Sequence, residues 1–229
     1  MRFRALASDY DGTLAEDART APETVAAIER LRASGRRFLL VTGRRLPDLR
    51  QIFPEYSLCA RIVAENGALL FDPQTREERL LAPEPPDPFL RVLRERGVRF
   101  ERGRCIVACD EAESNVALAV IQELGLTLRV ILNKGSAMIL PSGVDKASGL
   151  TAALTELGLT SGQTVAVGDA ENDHVLLAAA GFGVAVADAL PQLKTCADRV
   201  TQGGAGQGVV ELIDAMIADD LGARTRGPR

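Results

Sequence analysis

The sequence predicts an α/β fold in which a parallel sheet carries helices on both faces and a small α+β unit is inserted after the third strand. Within the first 65 residues, short apolar stretches that end in polar turns alternate with helical patterns, as is typical of βαβ units. The same alternation returns after residue 141. Between the two halves, five prolines occur from residue 72 to residue 88, which indicates a crossing into a different unit.

The first half of the chain is predicted to contain three strands and two helices. Residues 37–41 form an almost continuous apolar run, which is what a strand covered on both faces requires. The helix before them has Thr20 and Glu23 at the spacing of a capping box, Pro22 in its first turn and Gly35 at its end. The predicted elements are, in order, strand 3–8, helix 20–35, strand 37–41, helix 46–53 and strand 61–64.

The insertion is predicted to form a small α+β unit over residues 72–140. Its clearest strand alternates apolar and polar residues from 126 to 132. We therefore divide the chain into a core of residues 1–71 and 141–221, the inserted unit, and a disordered tail of residues 222–229. The insertion is predicted as a helix ending at Gly97, strand 105–107, a helix around 116–124, and strands 126–132 and 136–140; the second core half is predicted as helix 146–157, strand 164–167, helix 173–180, strands 182–186 and 199–201, and helix 208–218.

Composition excludes several classes of protein. The 229-residue chain has 27 basic and 31 acidic residues and a net charge of −4, so a basic nucleic-acid surface is not expected. Its longest run of apolar and glycine residues, 175–187, is too short to cross a membrane. Asp9 and Asp11 precede any apolar region of a signal peptide, so we expect a cytoplasmic protein. Four cysteines without a CxxC pair and a single histidine do not supply a zinc site, and we expect free thiols.

Acidic residues follow two of the predicted core strands. Asp9 and Asp11 are two residues apart at the end of the first strand, so both carboxylates can face one pocket. A solvated acidic turn would explain this pair equally well. Asp169 and Asp173 follow a later strand in the same way, and helix capping accounts for one of these acids but not for both clusters. Two acidic clusters at strand ends form an oxygen-rich site that suits Mg²⁺.

Lys146 and Thr42 are candidate ligands for an anion. Lys146 is predicted at the start of a helix, where its positive charge is unfavourable because of the helix dipole. Local stability therefore does not favour a lysine at this position, and a nearby anion that the lysine neutralises explains it better. Thr42 and Gly43 end another strand and offer a hydroxyl and an unobstructed backbone N–H to a phosphate oxygen. The alternative for this pair is an ordinary turn.

Together, these segments resemble the motifs of the haloacid dehalogenase (HAD) superfamily of phosphatases. The segments are, in chain order, Asp9-Tyr10-Asp11-Gly12-Thr13, Thr42-Gly43-Arg44, Lys146, and Gly168-Asp169 with Asn172-Asp173. The resemblance covers the whole predicted core and implies a Rossmannoid sheet. Glu65-Asn66-Gly67-Ala68 resembles a further motif of subfamily IIB, whose C2-type cap domain is inserted between the third strand and the motif lysine. The small insertion most resembles that of archaeal-type phosphoglycolate phosphatases and their sugar-phosphatase relatives.

The resemblance implies a role for each matching residue. Asp9 attacks phosphorus and becomes an aspartyl phosphate, while Asp11 protonates the leaving oxygen and then deprotonates water. Mg²⁺ is bound by Asp9, the backbone carbonyl of Asp11 and Asp169, with Asp173 in support. The other implied ligands are Thr42, Gly43, Lys146 and Asn172 for the phosphate, and Arg44 and Asn66 for the rest of the substrate.

We therefore expect a Mg²⁺-dependent phosphomonoester hydrolase whose partner is a small phosphorylated metabolite. The short cap and Asp145 beside Lys146 favour phosphoglycolate; a sugar-phosphate phosphatase or a phosphomutase is the alternative within the superfamily. A regulator that accepts a phosphoryl group without turnover is the alternative from another class. We expect no nucleic-acid or membrane partner, and a monomer or a homodimer. The cap turns at residues 102–104 and 133–134 are candidates for substrate contacts, but a solvated turn is the favoured expectation for each, and we assign them no role.

Overall fold

The computed structural model describes residues 1–133 and 135–222. Lys134 lies outside the described residues. Residues 223–229, which are nearly all of the expected tail, also lie outside them. The strands are β1 (Ala5–Ser8), β2 (Arg37–Val41), β3 (Arg61–Ala64), β4 (Leu69–Asp72), β5 (Glu77–Leu80), β6 (Phe100–Arg102), β7 (Val107–Asp110), β8 (Leu128–Asn133), β9 (Ser136–Pro141), β10 (Thr164–Gly168), β11 (Phe182–Ala185) and β12 (Arg199–Val200). The α-helices are α1 (Pro22–Ala33), α2 (Leu46–Ile52), α3 (Asp87–Glu95), α4 (Ser114–Glu123), α5 (Lys146–Glu156), α6 (His174–Ala179), α7 (Pro191–Cys196) and α8 (Ala205–Asp219).

These strands form two sheets. The large sheet has the order β12-β11-β10-β1-β2-β3-β4-β5, and the small sheet has the order β6-β7-β9-β8. In the large sheet, β1 pairs in parallel with β2 on one side and with β10 on the other, so that Ser8 is in register with Leu40 and Val167. Asp9 therefore lies beside the ends of β2 and β10. The loops after these strands meet there, as they do at ligand sites of parallel α/β sheets.

Helices cover both faces of the large sheet. α1 connects β1 to β2, whereas α6 connects β10 to β11 on the other side of β1. Right-handed crossovers that run in opposite directions place their helices on opposite faces, and α1 packs against α8 while α5 packs against α6. Every residue of β1, β10 and β11 is buried, as the predicted α/β fold requires. Among the described residues, no helix is long and apolar enough to cross a membrane.

The small sheet forms a cap over one end of the large sheet. On one face it packs against α3 and α4, and side chains such as Phe89, Val120 and Ile139 form a separate apolar core there. Because side chains alternate along a strand, Asn133 of β8 and Met138 of β9 point to the other face. Both line a cavity together with residues that follow β1 and β2, so this face covers the strand ends of the large sheet.

The large sheet extends into the segment that the sequence predicts as the start of the insertion. Residues 77–80 form β5, which pairs with β4 and extends the large sheet, although they fall within the predicted insertion of 72–140. β4 and β5 are antiparallel neighbours joined by a short turn. A short edge hairpin with few apolar positions resembles a linker in sequence, so the pattern did not predict β4 and β5.

Local elements also differ from the prediction where a side chain has a tertiary partner. The capping box at Thr20 is wrong, because α1 follows Ala21 without a side-chain cap and the Thr20 hydroxyl donates to Tyr10 OH over 3.4 Å. The strand predicted at 105–107 lies at 107–110, since the backbone N–H groups of Cys105 and Ile106 bond to a carboxylate of the core. All four cysteines are free thiols, as predicted.

Candidate active site

Asp9 is buried at the end of β1 and is bonded to a lysine. Asp9 is 5% exposed and Lys146 is 1% exposed. Lys146 Nζ donates to Asp9 Oδ1 over 2.6 Å and to Asp173 Oδ1 over 2.7 Å. One ammonium group therefore joins the carboxylates that follow β1 and β10.

Asp173 and Asp9 stabilise the charge of Lys146, which is the first residue of α5. Asp145 caps this helix by accepting a hydrogen bond from Ser148 N over 2.9 Å. Burial lowers the pKa of Lys146, but the carboxylates of Asp173 and Asp9 raise it by more, so the net shift is upward. The anions inferred for this lysine from the sequence thus include two carboxylates of the chain itself.

Asp173 organises the turn after β10. Its Oδ2 accepts hydrogen bonds from the backbone N–H groups of Asp169 and Ala170, each over 3.0 Å. A Cβ at Gly168 would lie 2.5 Å from Asp173 Cγ, so only glycine permits this approach. Thr13 Oγ1 donates to Asp169 Oδ1 over 3.0 Å and connects the turn to the loop after β1.

The three carboxylates of this cluster carry more negative charge than Lys146 balances. Asp9, Asp169 and Asp173 each offer an oxygen within 4.8 Å of the others. Burial, followed by the charge of Asp173, raises the pKa of Asp9 to about 7 despite the opposing effect of Lys146. Carboxylate oxygens are the ligands that Mg²⁺ prefers, and a cation here would balance the excess charge. The donor set therefore fits this ion.

Arg44 pairs with Asp11 between the loops after β1 and β2. Its Nε and Nη2 donate to the two Asp11 oxygens over 2.7 Å each. About a third of each side chain is exposed, 32% for the arginine and 37% for the aspartate. Arg44 N also donates to Thr42 Oγ1 over 3.1 Å. Hydrogen bonds thus connect Arg44, the predicted substrate contact, to Asp11, the predicted acid, and to Thr42, a predicted phosphate ligand.

Asn66 and Asn172 connect the loops after β3 and β10. Asn172 Nδ2 donates to Asn66 Oδ1 over 3.2 Å, and Asn66 N donates to the Thr42 carbonyl over 2.9 Å. Both asparagines are buried. Asn172 lines the cavity, whereas Asn66 is not among the lining residues and accepts the Asn172 hydrogen bond.

The cap closes a small cavity over these residues. Its volume is about 120 Å³ and its lining consists of Asp9, Asp11, Gly43, Arg44, Asn133, Met138, Ala170 and Asn172. A Cβ at Gly43 would lie 2.9 Å from Met138 Cε. A cap side chain therefore lies directly on the Thr42–Gly43 turn.

Asn133 is a cavity residue for which the sequence left two interpretations open, a substrate contact and the favoured solvated turn. The solvated turn is wrong, because Asn133 Oδ1 is buried and no described residue donates a hydrogen bond to it. Its neighbour Lys134 lies outside the described residues. The pairing of Asn133 with Ser136 at the end of the β8–β9 hairpin sets its direction, and an isolated Asn-Lys pair in the sequence carries no signal of that geometry.

The structure brings the sequence-predicted residues to one place. Those that line the cavity are Asp9, Asp11, Gly43, Arg44 and Asn172; Lys146, Asp169 and Asp173 form the buried cluster beside Asp9, and Thr42 and Asn66 bond to these residues from the cavity wall. Three further residues of the site, Thr13, Met138 and Ala170, have no function predicted from the sequence, and Asn133 is a candidate contact to which no role was assigned. Thr13 and Ala170 had a signal, since each lies inside a motif segment.

A family model described as haloacid dehalogenase-like hydrolase matches residues 6–102 and 105–213. The chain belongs to this family. It is 33% identical over 224 residues to phosphoglycolate phosphatase 2 of Saccharolobus solfataricus, with 95% of this chain and 94% of that protein covered. It is 29% identical over 222 residues to a phosphoglycolate phosphatase of Methanosarcina acetivorans, with 94% of this chain and 97% of that protein covered.

Solved structures of HAD-like hydrolases share the fold. A haloacid dehalogenase-like hydrolase from Bacteroides thetaiotaomicron has a TM-score of 0.78 at 20% identity, with 93% of this chain and 99% of that chain covered. A protein of Thermoplasma acidophilum has a TM-score of 0.80 at 16% identity, with 93% and 98% covered. A HAD subclass IIB sugar phosphatase has a TM-score of 0.75 at 21% identity, with 93% and 97% covered. The HAD-like fold implied by the motifs is therefore confirmed.

Proposed function

We propose that this HAD-like hydrolase is a Mg²⁺-dependent phosphomonoester phosphatase that forms an aspartyl phosphate on Asp9. The position of Asp9 carries the proposal. Its carboxylate is bonded to Lys146 over 2.6 Å and lines a small cavity beneath the cap. A carboxylate placed in this way can act as a nucleophile, which divides one difficult hydrolysis into two easier displacements.

Two displacements transfer the phosphoryl group to water. In the first, an Asp9 oxygen bonds to phosphorus as the bond to the leaving oxygen breaks, and Asp11 gives that oxygen its proton. In the second, Asp11 takes a proton from water, and the water oxygen displaces Asp9 from phosphorus to release inorganic phosphate. Thr42, Gly43 and Lys146 bind the phosphoryl oxygens in both steps. Asn172, supported by Asn66, binds the same group.

The proposed ligands of Mg²⁺ are Asp9, Asp169 and the backbone carbonyl of Asp11. When bound, the ion reduces the repulsion between the Asp9 carboxylate and a phosphate dianion. Asp173 belongs to the same cluster, but its two oxygens accept hydrogen bonds from Lys146 Nζ and from two backbone N–H groups. We therefore assign Asp173 to supporting the metal site by orienting Lys146 and the turn that carries Asp169.

Phosphoglycolate is the proposed substrate. Relatives named phosphoglycolate phosphatase match nearly the whole chain, cap included, and a cavity of about 120 Å³ favours a leaving group of few atoms. Arg44 lines this cavity, and its Nε and Nη2 form a bidentate pair with the Asp11 carboxylate. The carboxylate of phosphoglycolate can form the same bidentate pair, so Arg44 is the proposed contact for that carboxylate.

A small sugar phosphate is the second candidate substrate. Asn133 lines the cavity, and its buried Oδ1 has no hydrogen-bond donor among the described residues. A hydroxyl group of the leaving sugar would supply that donor. A solved structure with the same fold is titled a sugar phosphatase. The two candidates differ in the group beside the phosphate, a carboxylate in one and a hydroxyl in the other.

We further propose that the division into core and cap falls at the end of β5. The core then comprises residues 1–80 and 142–221 and the cap residues 81–141, because β5 belongs to the large sheet and β6–β9 form the small one. In this proposal the cap supplies Asn133 and Met138 to the cavity, and the core supplies all groups that act on the phosphate.

The test is phosphate release from phosphoglycolate, sugar phosphates and nucleotides, with Mg²⁺ or with EDTA, by the wild type and by Asp9→Asn. We expect turnover that requires Mg²⁺ and that Asp9→Asn abolishes without loss of the folded state. Turnover retained by Asp9→Asn would reject this nucleophile. Dependence on a bisphosphate activator would indicate a phosphomutase, and a stable phosphoryl-Asp9 without turnover would indicate a regulator.

A further inference from the structure

We infer that Glu65 is a positioning residue that seats the cap hairpin between β6 and β7 on the core and thereby closes the cavity over Asp9. Glu65 lies at the end of β3 and is 1% exposed. It does not line the cavity. The inference rests on the proposed function for its kinetic consequence, although not for its structural one.

The Glu65 carboxylate accepts three hydrogen bonds from consecutive backbone N–H groups of the cap. Oε1 accepts from Arg104 N over 2.8 Å, and Oε2 accepts from Cys105 N over 2.7 Å and from Ile106 N over 3.0 Å. Consecutive N–H groups that converge in this way form a concave anion site. Here the anion is the Glu65 side chain of the core. The turn at residues 102–104, for which a solvated state was favoured, therefore lies with its backbone toward the core.

The surroundings of this contact are closely packed and apolar. A Cβ at Gly103 would lie 2.5 Å from Glu65 Oε1, so the hairpin approaches the carboxylate at a position where only glycine fits. Cys105 packs with Ala68 and Ala82 in a small apolar cluster. Burial, together with the charge of Glu65, raises the pKa of the Cys105 thiol to about 11. Hydrogen bonds to a carboxylate are stronger in such surroundings than in water.

The backbone at Glu65 is strained in a way that this contact maintains. Glu65 has φ of 51° and Asn66 has φ of 55°, and both lie in the left-handed region that non-glycine residues rarely adopt. Such strain persists only where surrounding bonds hold it. The bonds are those of Glu65 to the cap and those of Asn66 to Thr42 and Asn172, so a single dipeptide connects the cap hairpin to the cavity wall.

The seated hairpin determines where the cap side chains lie. β7 pairs with β9, with Ala108 in register with Met138, and β9 pairs with β8, with Ser136 in register with Asn133. Met138 and Asn133 are the cap residues that line the cavity. Because the β6–β7 hairpin is continuous with this ladder, its release from Glu65 frees the small sheet to move away from Gly43.

Replacing Glu65 by Gln tests the inference with little change in size. A glutamine side chain cannot accept all three hydrogen bonds, because one of the two carboxylate oxygens is replaced by an NH₂ group. That group is itself a donor and would lie against a backbone N–H of the hairpin. We expect hydrogen exchange at the amides of residues 104–106 to become about tenfold faster, with exchange in β10 unchanged. The matched control is Glu101→Gln, which removes an exposed carboxylate of the same hairpin that pairs with Arg45 over 3.0 Å. Exposed pairs of this kind contribute little.

The kinetic arm separates seating of the cap from chemistry. If a closed cap is the binding-competent state, KM for phosphoglycolate rises about tenfold in Glu65→Gln while kcat changes by less than about threefold. Hydrolysis of p-nitrophenyl phosphate, whose bulky leaving group does not need the closed cap, keeps its KM. Gly103→Ala disturbs the contact from the cap side, and we expect the same pattern, with little further loss in the double variant.

Unchanged exchange at residues 104–106 in both variants would overturn the inference. Equal losses on both substrates with KM unchanged would also overturn it, because they would assign Glu65 to general stability or to the chemical steps. If the wild type released phosphate from none of the substrates, the proposed function would fail, while the exchange measurement would still decide the role of Glu65.

Discussion

Arg44 holds both oxygens of Asp11, with Nε and Nη2 each donating over 2.7 Å. The proposed acid must bring one of these oxygens to the leaving group, so the pair has to open in every turnover. A carboxylate on the substrate can replace Asp11 on the guanidinium and keep both hydrogen bonds. Binding of the substrate and release of the acid would then be one exchange of partners.

Arg44→Gln should therefore impair hydrolysis according to the leaving group. We expect kcat/KM for phosphoglycolate to fall at least about tenfold and for ethyl phosphate, which lacks the carboxylate, to fall by less than about threefold. The measurement is initial rates for both substrates. Arg45→Gln is the matched control, because Arg45 pairs with Asp48 and Glu101 and does not line the cavity. Equal losses on both substrates would contradict the proposed contact.

Asp9 should make the stability of the metal-free protein fall as pH rises from about 4 to about 7. Burial and then Asp173 raise its pKa from 3.8 to about 7, so within this window the folded state holds a proton that the unfolded chain has released. The free energy of unfolding then decreases with pH and levels off above the folded pKa. The measurement is urea unfolding of the wild type and of Asp9→Asn in EDTA at several pH values.

The difference between these two proteins isolates Asp9, since asparagine does not titrate. We expect the wild type to lose stability relative to Asp9→Asn from about pH 4 to pH 7, with the loss becoming small as the pH approaches 8. A difference that stays constant over this range would contradict a raised pKa. A difference of opposite sign would mean that Lys146 outweighs burial.

The arrangement of the core was predictable because strand ends meet by a rule. Apolar runs located β1, β2 and β10, and their parallel order follows from short right-handed connections. Asp9, Lys146 and Asp173 could therefore be placed near one another from the sequence, and they share hydrogen bonds of 2.6 and 2.7 Å. Their chemical roles are predictions, and Asp9→Asn tests the role of Asp9.

The position of the cap was not predictable from the same patterns. Asn133 faces the cavity only because β8 pairs with β9 and the small sheet lies on the core, and neither relation leaves a mark on residue 133 itself. Glu65 meets the backbone of Cys105, 40 residues along the chain. Backbone N–H groups carry no sequence signal, so a contact between a side chain and a distant backbone is found only in the folded structure.

Asn133 should influence which leaving group is accepted. Its buried Oδ1 lacks a donor among the described residues, so a hydroxyl on the leaving group would gain a hydrogen bond worth about 1 kcal/mol. We expect Asn133→Leu to lower kcat/KM for glycerol phosphate about fivefold relative to ethyl phosphate. Asn133→Asp keeps a hydrogen-bond acceptor, so we expect kcat/KM for glycerol phosphate to be retained. Its negative charge should repel the carboxylate of phosphoglycolate and lower kcat/KM for that substrate. Unchanged ratios in both variants would exclude Asn133 as a contact of the leaving group.

Asp169 should account for the stabilisation of the protein by Mg²⁺. A ligand that binds only the folded state adds about 2.7 kcal/mol to the free energy of unfolding at a hundred times its Kd, so the Tm of the wild type should rise with Mg²⁺. Asp169→Asn removes one of the two side-chain carboxylates assigned to the ion, and we expect its Tm to respond weakly if at all. The matched control is Glu171→Gln, an exposed carboxylate in the same turn, which should respond as the wild type does. Because this measurement needs no substrate, a full response in Asp169→Asn would reject the proposed ligand set whatever the substrate is.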